Sequence, residues 1–309
     1  MSSPALSDYI RYLAAKKGLD DRSLNRRVWD HLMQAVRERS GSAAPLRVLE
    51  VGCGIGTMAE RLLDWGLLTR AAYTGIDEER EFIREARRRF KSLAAGQNAN
   101  LAAPHCGPMV LRTADQDVRV TFTAADLFDF MDREQGQATW DLLVAHAVLD
   151  LIDLSAALPR LLSLLVPSGL FYFTLNFDGA TVFEPALDPD LDRRIEVLYH
   201  RTMDSRRHGG RPGGSSVTGR QLLGHLRAAG VRLVAAGSSD WVVYPEPVGY
   251  PGDEAFFLHA IIDTIGRALH NHPELDASRF ETWLAQRHRQ IDSAQLIYIA
   301  HQLDVMGYI

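Results

Sequence analysis

Leu46-Arg-Val-Leu-Glu-Val-Gly-Cys-Gly-Ile-Gly-Thr57 is the stretch that most restricts what this chain can fold into. Val48, Leu49 and Val51 form a short apolar run with β-branched members, the pattern of a strand buried on both faces of a parallel sheet. Gly52, Gly54 and Gly56 then alternate, and Met58–Trp65 follows with helical periodicity. Strand, glycine turn and helix is the layout of a nucleotide-binding crossover, in which glycine lets the backbone approach a ligand closely. A dinucleotide fingerprint puts its third glycine three residues after the second. Here that position is Thr57, and the third glycine comes one residue earlier. An acid, Glu50, stands two residues before the first glycine.

Acid-x-Gly-x-Gly-x-Gly after a strand resembles motif I of the class I, Rossmann-like S-adenosylmethionine-dependent methyltransferases of the small-molecule type. The resemblance implies an α/β fold: a doubly wound, seven-stranded, mostly parallel sheet in the order 3-2-1-4-5-7-6, with helices on both faces. It also implies S-adenosyl-L-methionine as cofactor and S-adenosyl-L-homocysteine as product, with Glu50, Gly52, Cys53, Gly54 and Gly56 around the methionine part.

The next segments fall in the family's order. Ala71–Asp77 reads as a second strand ending in an acid, placed where a carboxylate accepts hydrogen bonds from ribose hydroxyls. Asp77 is also placed to cap the helix that starts at Glu78, and the two roles are compatible. Val110–Thr113 and Val118–Thr123 read as a hairpin whose second arm is the third sheet strand. That arm ends in Ala125-Asp126-Leu127-Phe128, similar to the family position that contacts adenine through Asp126 and the backbone of Leu127. The alternative for Asp126 is a helix cap.

Asp141–Ala145 is the fourth strand, and His146-Ala-Val-Leu-Asp150 lies at its carboxyl end, the edge where open α/β sheets bind ligands. His146, which the resemblance also puts beside the cofactor, is a candidate general base because imidazole titrates near neutrality. The competing reading is a histidine hydrogen-bonded at a strand end. Asp150 and Asp153 are further candidates. The run lacks the Asn/Asp-Pro-Pro-Tyr of amino-group nucleic-acid methyltransferases and the Pro-Cys nucleophile of the cytosine type. With a net charge of −5, this argues for a small-molecule acceptor and against nucleic acid. No Asp…Asp-Asn set for a metal-dependent reaction is evident, so no metal is expected.

Leu170–Asn176 is the fifth strand, with Asn176 at the reactive edge. Residues 178–217 lie outside the minimal fold and read as a lid over the acceptor, or as a solvated charged loop. Glu184 there is a candidate for stabilising positive charge, and Tyr199, His200, Arg201 and Arg206 for binding an anionic acceptor. Residues 1–40 read as a helical cap, with Tyr9, Tyr12, Lys16, Arg22 and Asn25 as pocket candidates or as part of an amphipathic pair packed on the sheet. Asp20 or Asp21 is placed to cap the second helix. Residues 41–309 form the methyltransferase domain, with a helical insertion at 246–292. Gln295–Val305 reads as a final antiparallel strand, with a helix as the alternative.

Cys53 and Cys106 have neither metal nor redox spacing, no apolar run approaches a membrane span of ~20 residues, and Met1–Asp8 lacks a signal-peptide pattern. A cytoplasmic protein is expected, without membrane partners; a homodimer stays open. Two other functions share these features. A nicotinamide-dependent oxidoreductase also uses a glycine turn and an acid such as Asp77. A non-catalytic protein of this fold, acting through a partner, would bind cofactor without turnover.

Overall fold

The computed structural model describes residues 6–39, 44–97, 99–104, 107–208 and 210–309; Cys106 and the first five residues lie outside them. The chain begins with helices α1 (Leu6–Ala15), α2 (Lys17–Ser23) and α3 (Arg26–Arg39). Then β1 (Leu46–Val51), α4 (Thr57–Asp64), β2 (Arg70–Asp77) and α5 (Arg80–Gly96) alternate. Next come β3 (Asn100–Ala102), β4 (Met109–Arg112), β5 (Asp117–Ala124), α6 (Leu127–Arg133), β6 (Trp140–His146), α7 (Leu154–Leu162) and β7 (Leu165–Glu184). After β7 lie α8 (Pro189–Asp204), the short pair β8 (Arg207–His208) and β9 (Arg211–Pro212), and α9 (Thr218–Ala228). The chain ends with β10 (Arg232–Ser238), β11 (Trp241–Val243), α10 (Glu254–Ala268), α11 (Ala277–Asp292) and β12 (Ile297–Tyr308).

The central sheet runs β10-β12-β7-β6-β1-β2-β5-β4-β3, with β11 also paired to β12. Its middle is parallel, β5-β2-β1-β6-β7, and β12 enters antiparallel between β7 and β10. The seven strands expected from the resemblance therefore stand in the expected order. The β3-β4 hairpin extends one edge, and β10 and β11 are two stretches along one side of β12. Gln295–Val305 is strand because alternate residues, Tyr298, Ala300 and Gln302, are buried, a period of two.

Successive residues in the central strands feed opposite faces. Val48, Leu142 and Val144 pack with α3, α4 and α5, while Leu49, Leu143 and Ala145 pack with α6, α7 and α9. A third core joins Leu19, Ile195, Leu198, Phe257, Ile262, Trp283 and Tyr298. The lid at 178–217 and the helical insertion, read separately from the sequence, thus share one core. Residues 178–184 belong to β7 rather than to a lid, because β12 pairs with that strand out to Glu184.

Two capping expectations are corrected. Asp20 and Asp21 do not cap α3; Asn25 does, with its Oδ1 accepting from Val28 N at 3.1 Å. Glu79, not Asp77, caps α5, accepting from Glu81 N at 3.2 Å. In each case the residue next to the first helical turn takes the orphan N–H.

Candidate active site

The glycine turn joins β1 to α4 with Gly52, Gly54 and Gly56 all at positive φ. A Cβ at Gly52 would lie 2.5 Å from Val148 Cγ2, and one at Gly56 would press on Ala86 and Phe122. Glycine is required at these two positions by packing of the turn against β6 and α5 as well as by any ligand.

A cavity of about 500 Å³ opens beside this turn at the carboxyl ends of β1, β2, β5 and β6. Glu50, Gly52, Cys53, Gly54, Asp77, Glu78, Asp126, Leu127 and His146 line it; Gly56 does not. Asp77 Oδ2 accepts from Gly54 N at 2.9 Å and Oδ1 from Glu79 N at 3.0 Å. Burial raises the Asp77 pKa above the ordinary carboxylate value. Asp126 Oδ1 caps α6, accepting from Phe128 N and Asp129 N, which leaves Oδ2 for a ligand donor. Glu50 is buried, and the Tyr73 hydroxyl donates to it. Burial pushes the Glu50 pKa up to about 8, against the opposing effects of that hydrogen bond and of Arg61. Burial also pushes up the Cys53 thiol, with Glu50 and Asp77 adding to it, so Cys53 is an inert wall.

A second cavity, of about 650 Å³, adjoins the first. Tyr9, Leu13, Lys16, Ala147, Leu151 and Arg206 line both. Its walls come from α1, the ends of β6 and β7, α8, α10 and β12, with Asp150, Phe177, Tyr199, Trp241, Tyr298 and Gln302 among them. Ala147, just after β6, and Leu175, midway along β7, both have φ 53°. A left-handed backbone at a non-glycine residue is costly and concentrates at functional sites. Asp150 Oδ1 is enclosed without a hydrogen-bond partner. Its pKa is raised to about 6 by burial, with Arg206 and Lys16 acting in opposition.

His146 is placed differently from a free base. Its Nδ1 is 2.8 Å from Thr174 Oγ1, and its Nε2 is 3.1 Å from Arg61 Nη1 and 3.3 Å from Asp20 Oδ2. Arginine only donates, so Nε2 accepts from Arg61 and Nδ1–H donates to Thr174. Burial and the neighbouring Arg61 lower its pKa to about 4. Both ring nitrogens are committed, and the general-base reading is replaced by that of a hydrogen-bonded strand-end histidine forming a cavity wall.

Other candidates lie away from the cavities. Glu184 is exposed at the far end of β7, accepting from Ala186 N. Asn176 is buried and donates to Leu303 O, within the β7-β12 pairing. His200 meets Thr181 Oγ1 at 3.0 Å, and the exposed Arg201 pairs with Glu274. Of the proposed acceptor residues, Tyr199, Arg206 and Asp150 reach the second cavity. Asp153 caps α7 through Ala156 N. Of the cap residues, Tyr9, Tyr12 and Lys16 line a cavity. Arg22 pairs with Glu254.

The sequence reading missed a buried ionic cluster beneath both cavities. Asp20 is fully buried and contacts Lys16 Nζ at 2.6 Å, Trp241 Nε1 at 3.0 Å and Arg61 Nη2 at 3.4 Å. Burial alone would raise the Asp20 pKa; Lys16 foremost and Arg61 outweigh it and hold the carboxylate well below its ordinary value. The available signal was the Lys16/Asp20 spacing of four, which puts the pair on one helix face.

A sequence profile described as a methyltransferase domain matches residues 49–171. Residues 49–171 are thus similar to a methyltransferase domain. That span holds the glycine turn, Asp77, Asp126 and His146, all of which line the first cavity. No curated protein matches the chain. Several solved structures resemble this chain at a distance. A methyltransferase from Thiobacillus denitrificans, in complex with S-adenosyl-L-homocysteine, is 16% identical over 91% of this chain and 92% of its own, with a TM-score of 0.42. One from Methanosarcina mazei is 14% identical over 87% and 95%, with a TM-score of 0.44. The [4+2]-cyclase SpnF is 18% identical over 89% and 80%, with a TM-score of 0.40. Among the described residues, no helix is long and apolar enough to cross a membrane.

Proposed function

We propose that this methyltransferase takes its methyl group from S-adenosyl-L-methionine in the first cavity and passes it to a small-molecule acceptor in the second. The carrying observation is the shared wall of Tyr9, Leu13, Lys16, Ala147, Leu151 and Arg206, which brings a donor-sized and an acceptor-sized cavity edge to edge. The residues fit the cofactor. Asp77 and Asp126 supply carboxylate acceptors at two points of the wall, and Ile76, Leu127 and Val148 supply apolar surface. Asp77 and Glu78 put carboxylates beside the glycine turn, which repel a pyrophosphate.

The cofactor supplies an electrophilic methyl on a sulfonium. The chain's own residues align the acceptor, exclude water and manage one proton. Asp77 and Glu78 hold the ribose end, Asp126 and Leu127 the base, and Glu50 with the glycine turn the methionine end. Asp150 is the proton acceptor, because its carboxylate is enclosed, unpartnered and in the acceptor cavity.

The test is calorimetry of S-adenosyl-L-methionine and S-adenosyl-L-homocysteine, with NAD as control, on the wild type and on Asp77→Ala. Micromolar binding of both sulfur compounds, weakened in the variant, is expected. Binding of NAD alone would overturn the proposal.

A further inference from the structure

The second cavity has an unusual inventory of polar groups for so apolar a space. Tyr9, Tyr12, Tyr199 and Tyr298 all line it, and among the described residues none of their hydroxyls has a hydrogen-bond partner. These hydroxyls cluster: Tyr12 senses Tyr9, Tyr199 and Tyr298, and Tyr199 senses Asp150. Gln302 is 2% exposed, lines the same cavity from β12, and leaves its Nε2 without a partner. Gln302 Nε2 is enclosed, and a buried polar group left alone costs about 1–3 kcal/mol; the tyrosine hydroxyls are not enclosed and stay open to a ligand. So many idle donors around one space point to a bound molecule that satisfies them.

The chemistry of that molecule can be read from the wall. Four phenols and one primary amide call for several acceptor oxygens on the ligand. The rings of these tyrosines, with Trp241, give flat apolar surfaces suited to stacking a planar ring system. Asp150 Oδ1, the one enclosed acceptor without a partner in this wall, calls for a hydroxyl on the ligand. We infer that the second cavity binds a planar aromatic acceptor bearing several oxygen substituents, with a ring hydroxyl set against Asp150. This rests on the two-cavity reading above. In turnover the hydroxyl oxygen forms the new bond to the methyl carbon. The carbon–sulfur bond breaks with its electron pair left on sulfur, and the hydroxyl proton passes to Asp150 and then to water. The raised Asp150 pKa, about 6, leaves it ionised at neutral pH and a better base than an exposed carboxylate.

The test is calorimetry on protein loaded with S-adenosyl-L-homocysteine. The probes are 6,7-dihydroxycoumarin, its parent coumarin, and the non-planar cyclohexane-1,2-diol. The dihydroxy compound is expected to bind at least tenfold tighter than either control. Tyr199→Phe with Tyr298→Phe, and separately Tyr12→Phe, should each weaken it about tenfold while leaving S-adenosyl-L-homocysteine affinity unchanged, which also reports that the variants fold. Equal affinity for the three probes, no binding of the dihydroxy compound, or indifference to all the Phe substitutions overturns the acceptor class and leaves the cofactor site standing. Failure of the wild type to bind S-adenosyl-L-homocysteine overturns the two-cavity reading, and the acceptor class with it.

Discussion

Asp77 Oδ2 accepts a hydrogen bond from Gly54 N at 2.9 Å, so the end of one strand holds the turn that follows its neighbour. The carboxylate therefore has two tasks: fixing the glycine turn and meeting the ligand. Asn keeps an acceptor oxygen for Gly54 but loses the charge, while Ala loses both. A hydrogen bond to a charged group contributes about 1.5–3 kcal/mol. Asp77→Asn should weaken S-adenosyl-L-homocysteine binding roughly tenfold and Asp77→Ala roughly a hundredfold, a graded pair that calorimetry resolves.

Asp20 stands between Lys16, Arg61 and the indole N–H of Trp241. Removing one member of a buried ionic cluster strands the others, at about 3–5 kcal/mol. Asp20→Ala should lower the urea midpoint by a corresponding amount, whereas Asp21→Ala, at a partly exposed carboxylate that also pairs with Arg61, should cost clearly less. Equal losses from the two would show that the cluster contributes nothing beyond ordinary packing.

Glu50 carries a stability cost that varies with pH. In the unfolded chain it ionises near its ordinary value of 4.5; in the fold it stays protonated to about pH 8. Between these values the folded state holds the extra proton, so this contribution is full below pH 4.5 and is lost as pH rises through 8. Glu50→Gln removes the dependence. Relative to wild type, the variant should gain about 3 kcal/mol in urea unfolding between pH 5 and pH 8. It should also bind cofactor less well, since Glu50 lines the first cavity.

On the proposed mechanism, Asp150 gives the reaction its acid limb. With a pKa of about 6, it loses its capacity to accept a proton as pH falls through that value. For a hydroxyl acceptor, kcat/KM should rise towards a plateau above pH 7. Asp150→Asn should flatten the limb and lower kcat by about 10²- to 10⁴-fold without changing S-adenosyl-L-homocysteine affinity. An unchanged profile in the variant would move the proton to another group.

The parts of the fold read correctly from the sequence are those with a local cause. The turn at Gly52, Gly54 and Gly56 follows directly on a strand, and Asp77 and Asp126 are the acids at strand ends, where an open α/β sheet presents its residues to a ligand. The period of two in Tyr298, Ala300 and Gln302 marked a strand in the same way. What the sequence reading missed depends on long-range pairing. Asp20 and Arg61 are charged residues on separate helices, and such residues are ordinarily solvated; nothing local says that they meet under His146. Glu184 was given a role because it follows the fifth strand closely in sequence. The strand instead continues beside β12 and carries it out of reach. His146 was correctly placed at the sheet edge, but its chemistry was set by Arg61 and Thr174, which no spacing rule connects to it.

Strand β12 has a consequence for the order in which the molecule matures. Chains grow from their N-terminus at about 5–20 residues per second and fold by domains as they emerge. The glycine turn, Asp77, Asp126 and His146 all lie in the first half of the chain, so the pocket for the methyl donor can take shape while translation continues. Tyr298, Ala300 and Gln302, which close the neighbouring pocket, are translated after every other strand of the sheet. Until they slot beside β7, that edge of the sheet is open and its aromatic surface wet. The neighbouring pocket, on the proposed reading the one that recognises the acceptor, is thus the last part of the sheet edge to close.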